Sequence, residues 1–143
     1  MSVVEGKRSG GELLVITKSS SIADYTLWIC SSEKHFPKRY RWCITTRVLN
    51  TALDVNDLIH RANAVYVRPD DDSAERRLSY QAQALELTHV LLNLIDISYR
   101  RFGLDAKSVK TWAGNVKGLQ ELIRRWRKSD AERYKRLKDK TSG

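Results

Sequence analysis

Val109, Trp112, Val116, Leu119, Ile123 and Trp126 recur at steps of three, four, three, four and three. An α-helix turns once in about 3.6 residues, so this alternation keeps all six side chains on one stripe. A strand, with its period of two, would scatter them over both faces. A stripe this long, carrying two tryptophans, demands a partner surface of similar length.

Three further segments carry weaker versions of the same signal. Ile44, Val48, Ala52, Val55, Ile59 and Ala62 step by fours and threes, and Ala84, Thr88, Leu91, Ile95 and Phe102 form a third stripe. Ile16, Ile22, Ala23, Leu27, Ile29 and Cys30 form a fourth, loosely phased. No strand-like alternation is present. Pro37 suits a first helical residue, and Pro69 followed by Asp70, Asp71 and Asp72 breaks the chain. Asp72 with Glu75 reads as a capping box, Gly103 as a left-handed stop, and Asp105 as the cap of the last helix. These signals predict helices at 12–34, 37–67, 73–102 and 106–128 or beyond. They flank short connections, so the expected fold is all-α: an up-down-up-down antiparallel four-helix bundle over 12–137. Segment 1–11, rich in Gly, Ser and Lys, and the basic tail 138–143 are expected to be disordered.

The 143 residues suit one domain with a real core. Cys30 and Cys43 are too few for a disulfide framework and fit a reducing cytoplasm. The apolar run 13–16 is too short for a signal core or a membrane span, so neither secretion nor a membrane partner is expected.

The net charge of +9 points to an anionic partner. From Lys107 onward there are 12 Lys and Arg against 4 Asp and Glu, a surplus of eight that is most of the total. In the expected bundle one end collects Lys38, Arg39, Arg41, Arg100, Arg101, Lys107 and Lys110. A second group, Arg124, Arg125, Arg127 and Lys128, surrounds Trp126 near the expected end of the last helix. Cations near a helix C-terminus are favoured by the dipole, and there a solvated face is the simpler reading. Lys38, Arg39 and Arg41 add positive charge to a helix start that is already positive. Exposed backbone N–H groups beside basic side chains suit a phosphate, with an inert surface cluster as the alternative. Tyr40, Trp42 and Tyr134 are placed to stack on exposed bases. Trp112 and Trp126 read as core, and Phe36 as a plug.

Catalytic patterns fail one by one. Glu86-Leu-Thr-His89 has the Glu-x-x-His form of half a di-iron site, and Asp57-Leu-Ile-His60 echoes it. Asp57 and His60 lie off the apolar stripe, however, and the other helices offer only Glu121 and Asp24 near mid-length. No nucleotide loop or zinc pattern is present. Gly114-x-x-x-Gly118 permits close helix approach but is weak outside a membrane. The expectation is a protein that is not an enzyme, with no cofactor and no metal site.

One resemblance adds to this. The chain runs E-K-H-F-P-K-R-Y-R-W, L-N-T-A-L-D-V, H-R-A-N-A-V-Y-V, L-S-Y-Q-A-Q-A-L, S-Y-R-R-F-G-L-D-A-K-S-V-K-T-W and R-R-W-R-K-S-D. In that order and spacing it resembles the accessory variability proteins of bacterial and phage diversity-generating retroelements. These are related to four-helix proteins encoded by intervening sequences of ribosomal RNA genes. The likeness covers about 24–136, with Phe36-Pro37-Lys38 its most distinctive piece. It implies a basic helical homopentamer without enzymatic activity that binds a reverse transcriptase and its template RNA or cDNA. Such a protein supports mutagenic reverse transcription in the cytoplasm. The matching positions are Lys38, Arg39 and Arg41, and Arg124, Arg125, Arg127 and Lys128. The competing expectation is an oligomeric protein–protein assembly module that does not bind nucleic acid.

Overall fold

The computed structural model describes residues 10–142, with side chains through Lys140. Its four helices are α1 (Gly10–Cys30), α2 (Thr46–Ala64), α3 (Ser73–Phe102) and α4 (Ala106–Ser142), with no strand among the described residues. The α1–α2, α2–α3 and α3–α4 pairs pack together, and α1 closes on α4. The stripes meet in one core. Val48, Ala52, Val55, Ile59 and Ala62 of α2 face Ala84, Leu91 and Ile95 of α3 and Trp112, Val116, Leu119, Ile123 and Trp126 of α4. Val15, Ile22 and Ile29 complete it from α1. Burying each such side chain contributes roughly 1.5–3 kcal/mol, which is why the three-four stepping dominates the fold.

The ends differ from expectation in instructive ways. Helix α1 stops at Cys30, not 34, where the Ser31 hydroxyl donates to the Leu27 and Trp28 carbonyls and competes with further helix. The chain then turns so that Phe36, 2% exposed, packs edge-on against Phe102 and Trp112. Phe36 is therefore the plug its sequence position suggested. Beyond Pro37 the backbone does not enter an α-helix directly. It passes through a 3-10 turn (Lys38–Tyr40) and a π-helical turn (Arg41–Thr45) before α2 begins. Both the backbone N–H and the hydroxyl of Thr46 reach the Arg41 carbonyl, the hydroxyl at 2.7 Å, holding that wider turn in place. Helix α2 ends at Ala64, three residues short of expectation, because Val65 turns extended.

At the start of α3 the expected Asp72 capping box is absent. Asp71 instead accepts from the Ser73 N–H at 2.9 Å, and the Ser73 hydroxyl accepts from the Arg68 N–H at 2.7 Å. Gly103 takes the left-handed stop (φ 64°), and Asp105 caps α4 through the Ser108 N–H at 2.9 Å, both as expected. Helix α4 continues to Ser142 where a disordered tail was expected, and Gly10 and Gly11 belong to α1. The remainder of the expected disordered N-terminal segment, residues 1–9, lies outside the described residues, as does Gly143. The extension of α4 has a clear cause. Asp130 and Tyr134 follow Trp126 at four-residue steps and are buried, so the inner stripe continues through a polar residue. The Gly114–Gly118 pair marks no tight approach: a Cβ at Gly114 would meet nothing, and one at Gly118 only the flexible end of Lys18.

Candidate nucleic-acid interface

Packing of Phe36 and Tyr40 on Phe102 brings the chain between α1 and α2 against the last turn of α3. Three side chains meet there. Arg101 donates to the Tyr40 hydroxyl at 2.8 Å, and its guanidinium sits 5.5 Å from the Tyr40 ring centre. Arg39 approaches the same ring to 5.0 Å. The Arg101 hydrogen bond, aided by the charges of Arg101 and Arg39, holds the Tyr40 phenol below its ordinary pKa. Lys38 and Arg41 flank this cluster and border a groove of about 320 Å³ that Glu33 also reaches. Lys38, Arg39, Arg41 and Arg101 are all exposed, and none forms an ion pair with a carboxylate among the described residues. Beside them stands Trp42, 83% exposed. Four unneutralised cations with two accessible aromatic rings can hold phosphates and stack on unpaired bases.

The other expected members of this group are more dispersed. Arg100 is exposed but pairs with Asp96 at 3.2 Å along the helix. Lys107 and Lys110 are exposed on the first turns of α4 and make no hydrogen bond to the Tyr40 cluster. The second group lies elsewhere in the helix than expected. Since α4 runs to Ser142, residues 124–128 sit in its middle, so the dipole does not account for them. All four are exposed: Arg124 pairs with Glu121, and Arg127 donates to the Leu78 carbonyl at 3.0 Å. Arg125 and Lys128 have no ion pair among the described residues. Half of this group is thus tied to its own fold. Tyr134 is buried, which removes it from the expected stacking surface and leaves Tyr40 and Trp42.

A feature missed in the sequence lies at the first turns of α3. Arg77 is 5% exposed, although an arginine is ordinarily a surface residue. Its Nη2 donates to Glu12 at 2.6 Å and its Nε to Asp130 at 2.8 Å, while its guanidinium stacks 5.2 Å from the Trp126 ring. Asp130 also accepts from Gln81 at 2.8 Å and from Arg133 at 2.8 Å. Burial opposes the Arg77 charge, but its hydrogen bonds to Glu12 and Asp130 more than offset that, and its pKa rises. The one signal for this network was the four-residue spacing of Trp126, Asp130 and Tyr134.

The discarded metal pattern is spread over the surface. Glu86, His89, Asp57 and His60 are all exposed, and His89 meets Gln120 at 3.3 Å. Burial pushes the Cys30 thiol up to about 12, whereas Cys43 is exposed in the π-turn. Apolar side chains also cover the outer side of α1, where Leu13, Leu14, Leu27 and Trp28 are each about half exposed or more. No helix among the described residues is long and apolar enough to cross a membrane. No family model, no curated protein and no solved structure matches this chain.

Proposed function

We propose that this chain is a non-catalytic accessory protein of a diversity-generating retroelement. In this reading it binds a reverse transcriptase and nucleic acid, template RNA or cDNA, in the cytoplasm of a bacterium or phage-infected cell. Its helices run up-down-up-down and antiparallel, a reading supported by the closure of α1 on α4. The observation that carries the function is the group Lys38, Arg39, Arg41 and Arg101 around Tyr40, exposed and lacking carboxylate partners among the described residues. Cations left without internal partners bind polyphosphates by releasing condensed counterions.

Filter binding of single-stranded RNA and DNA over a salt series tests this. Affinity should fall steeply with salt, and replacing Lys38, Arg39 and Arg41 by Ala should weaken all sequences alike. Binding that ignores salt, or is intact in the triple variant, removes this surface from the account. Co-purification with the reverse transcriptase of a neighbouring gene tests the protein partner.

The assembly reading is supported by the apolar outer side of α1, which a second copy would cover in a homopentamer. Light scattering distinguishes the two readings when paired with filter binding. An oligomer indifferent to nucleic acid favours assembly alone.

A further inference from the structure

Arg77 lies 24 residues before Arg101 on α3, roughly 36 Å away at a rise of about 1.5 Å per residue. Beside it opens a cavity of about 590 Å³ between the segment leaving α2 and the last turns of α4. This volume falls within the roughly 300–1,000 Å³ of small-molecule sites. Its walls divide by chemistry. Val65, Tyr66 and Val67 form one side, with Tyr66 80% exposed, and Tyr134 and Leu137 continue the apolar lining. Arg133, Arg136 and Lys140, at i, i+3 and i+7, present one face of α4 to the same space, and Arg77 borders it. No Asp or Glu is among the described lining residues.

The two carboxylates beside Arg77 are already engaged. Asp130 receives Arg77, Gln81 and Arg133, and Glu12 receives Arg77. Arg133 uses Nη2 on Asp130 and on the Tyr134 hydroxyl, and its other guanidinium nitrogens keep N–H groups to donate. Arg136 and Lys140 have no ion pair among the described residues. An anion entering this space therefore meets donors at helical spacing, and a flat ring attached to it meets Tyr66 and the two valines.

We propose that this cavity binds a small phosphorylated ligand carrying a flat ring, the chemical class of a mononucleotide. The phosphate sits among Arg133, Arg136 and Lys140, and the ring lies against Tyr66 and Val67. Arg77, neutralised by Glu12 and Asp130, forms part of the floor without itself needing the ligand. This site is separate from the Tyr40 cluster and does not depend on that cluster's role.

Isothermal titration of the full chain at low salt, with AMP and with inorganic phosphate, tests the assignment. AMP should bind saturably at one site, and inorganic phosphate more weakly. Replacing Arg136 and Lys140 by Ala should weaken AMP by about tenfold or more, since charge-assisted bonds to phosphate are lost. Tyr66→Ala should weaken AMP while leaving inorganic phosphate unchanged, and the Lys38, Arg39 and Arg41 variant should bind AMP as the parent does. Both altered sites are exposed, and circular dichroism confirms that each variant is folded. No saturable AMP binding up to about 1 mM, where binding energy is already only ~4 kcal/mol, overturns the proposal. Equal affinity in the Arg136/Lys140 variant does the same.

Discussion

Two arginines of one helix, Arg77 and Arg101, stand in opposite surroundings. Arg77 is buried between two carboxylates and over a tryptophan; Arg101 is exposed, and among the described residues its side chain hydrogen-bonds to a phenol and to no carboxylate. Desolvating a guanidinium costs several kcal/mol unless opposite charge enters with it, so the interior accepts Arg77 only as part of a neutralised network. Arg101 remains hydrated and needs no carboxylate to be tolerated. Charge met inside the molecule holds helices together, and charge left unmet at the surface is available to an outside anion. The cavity beside Arg77 combines both: engaged groups on its floor and uncommitted cations on its α4 wall.

The sharpest way to break this contrast is Asp130→Ala. It removes the acceptor shared by Arg77, Gln81 and Arg133 and should cost about 3–5 kcal/mol in urea unfolding. Replacing Glu12, Arg77 and Asp130 together by Gln, Met and Leu should recover most of that loss, because no charge of the Arg77 network is then stranded. A cost under about 1 kcal/mol for Asp130→Ala would place the network among surface ion pairs.

Next in size is the triple Ala variant at Lys38, Arg39 and Arg41. Oligonucleotide affinity should drop about tenfold or more, and the log–log salt slope should shrink by roughly two to three. Its unfolding free energy should stay within about 0.5 kcal/mol of the parent. A stability loss rivalling that of Asp130→Ala would show that these cations serve the fold.

Asp105 is an intermediate case, an exposed charge satisfied locally. The Ser108 N–H and then the Ser108 hydroxyl hold its carboxyl below the usual carboxylate range. A depressed folded pKa means stabilisation present above the unfolded value, about 3.9, and lost as pH falls through the folded one. Asp105→Ala should lower the melting temperature at neutral pH by less than Asp130→Ala does. The gap between parent and variant should then close as the solution is acidified.

Tyr40→Phe should have the smallest effect, with no resolvable change in melting temperature. Its signature is spectroscopic: the earliest-ionising phenol in an absorbance titration should disappear, since Arg101 and Arg39 favour that phenolate. An unchanged titration would detach Tyr40 from the cluster.

The sequence made the helical stripes legible wherever apolar residues repeat, and buried Trp112, Val116, Leu119, Ile123 and Trp126 follow that pattern. It also located Gly103 and Asp105, because a left-handed stop and an N-cap are satisfied by atoms a few residues away. It misjudged the end of α4 because the stripe continues through Asp130, a residue that counts as polar until its partners are known. It misjudged the start of α2 because a wide π-turn there is held by Thr46 and by the seating of Phe36 and Tyr40 on Phe102.

Local periodicity and capping chemistry thus determined an all-helical chain, its core residues and a surplus of positive charge. Tertiary packing decided which cation is buried and neutralised inside the fold, since Glu12, Arg77 and Asp130 are brought together from three helices. The physical reason is range. Helix signals are complete within a few turns, whereas the fate of a charge depends on burial and on whatever opposite charge the fold carries to it.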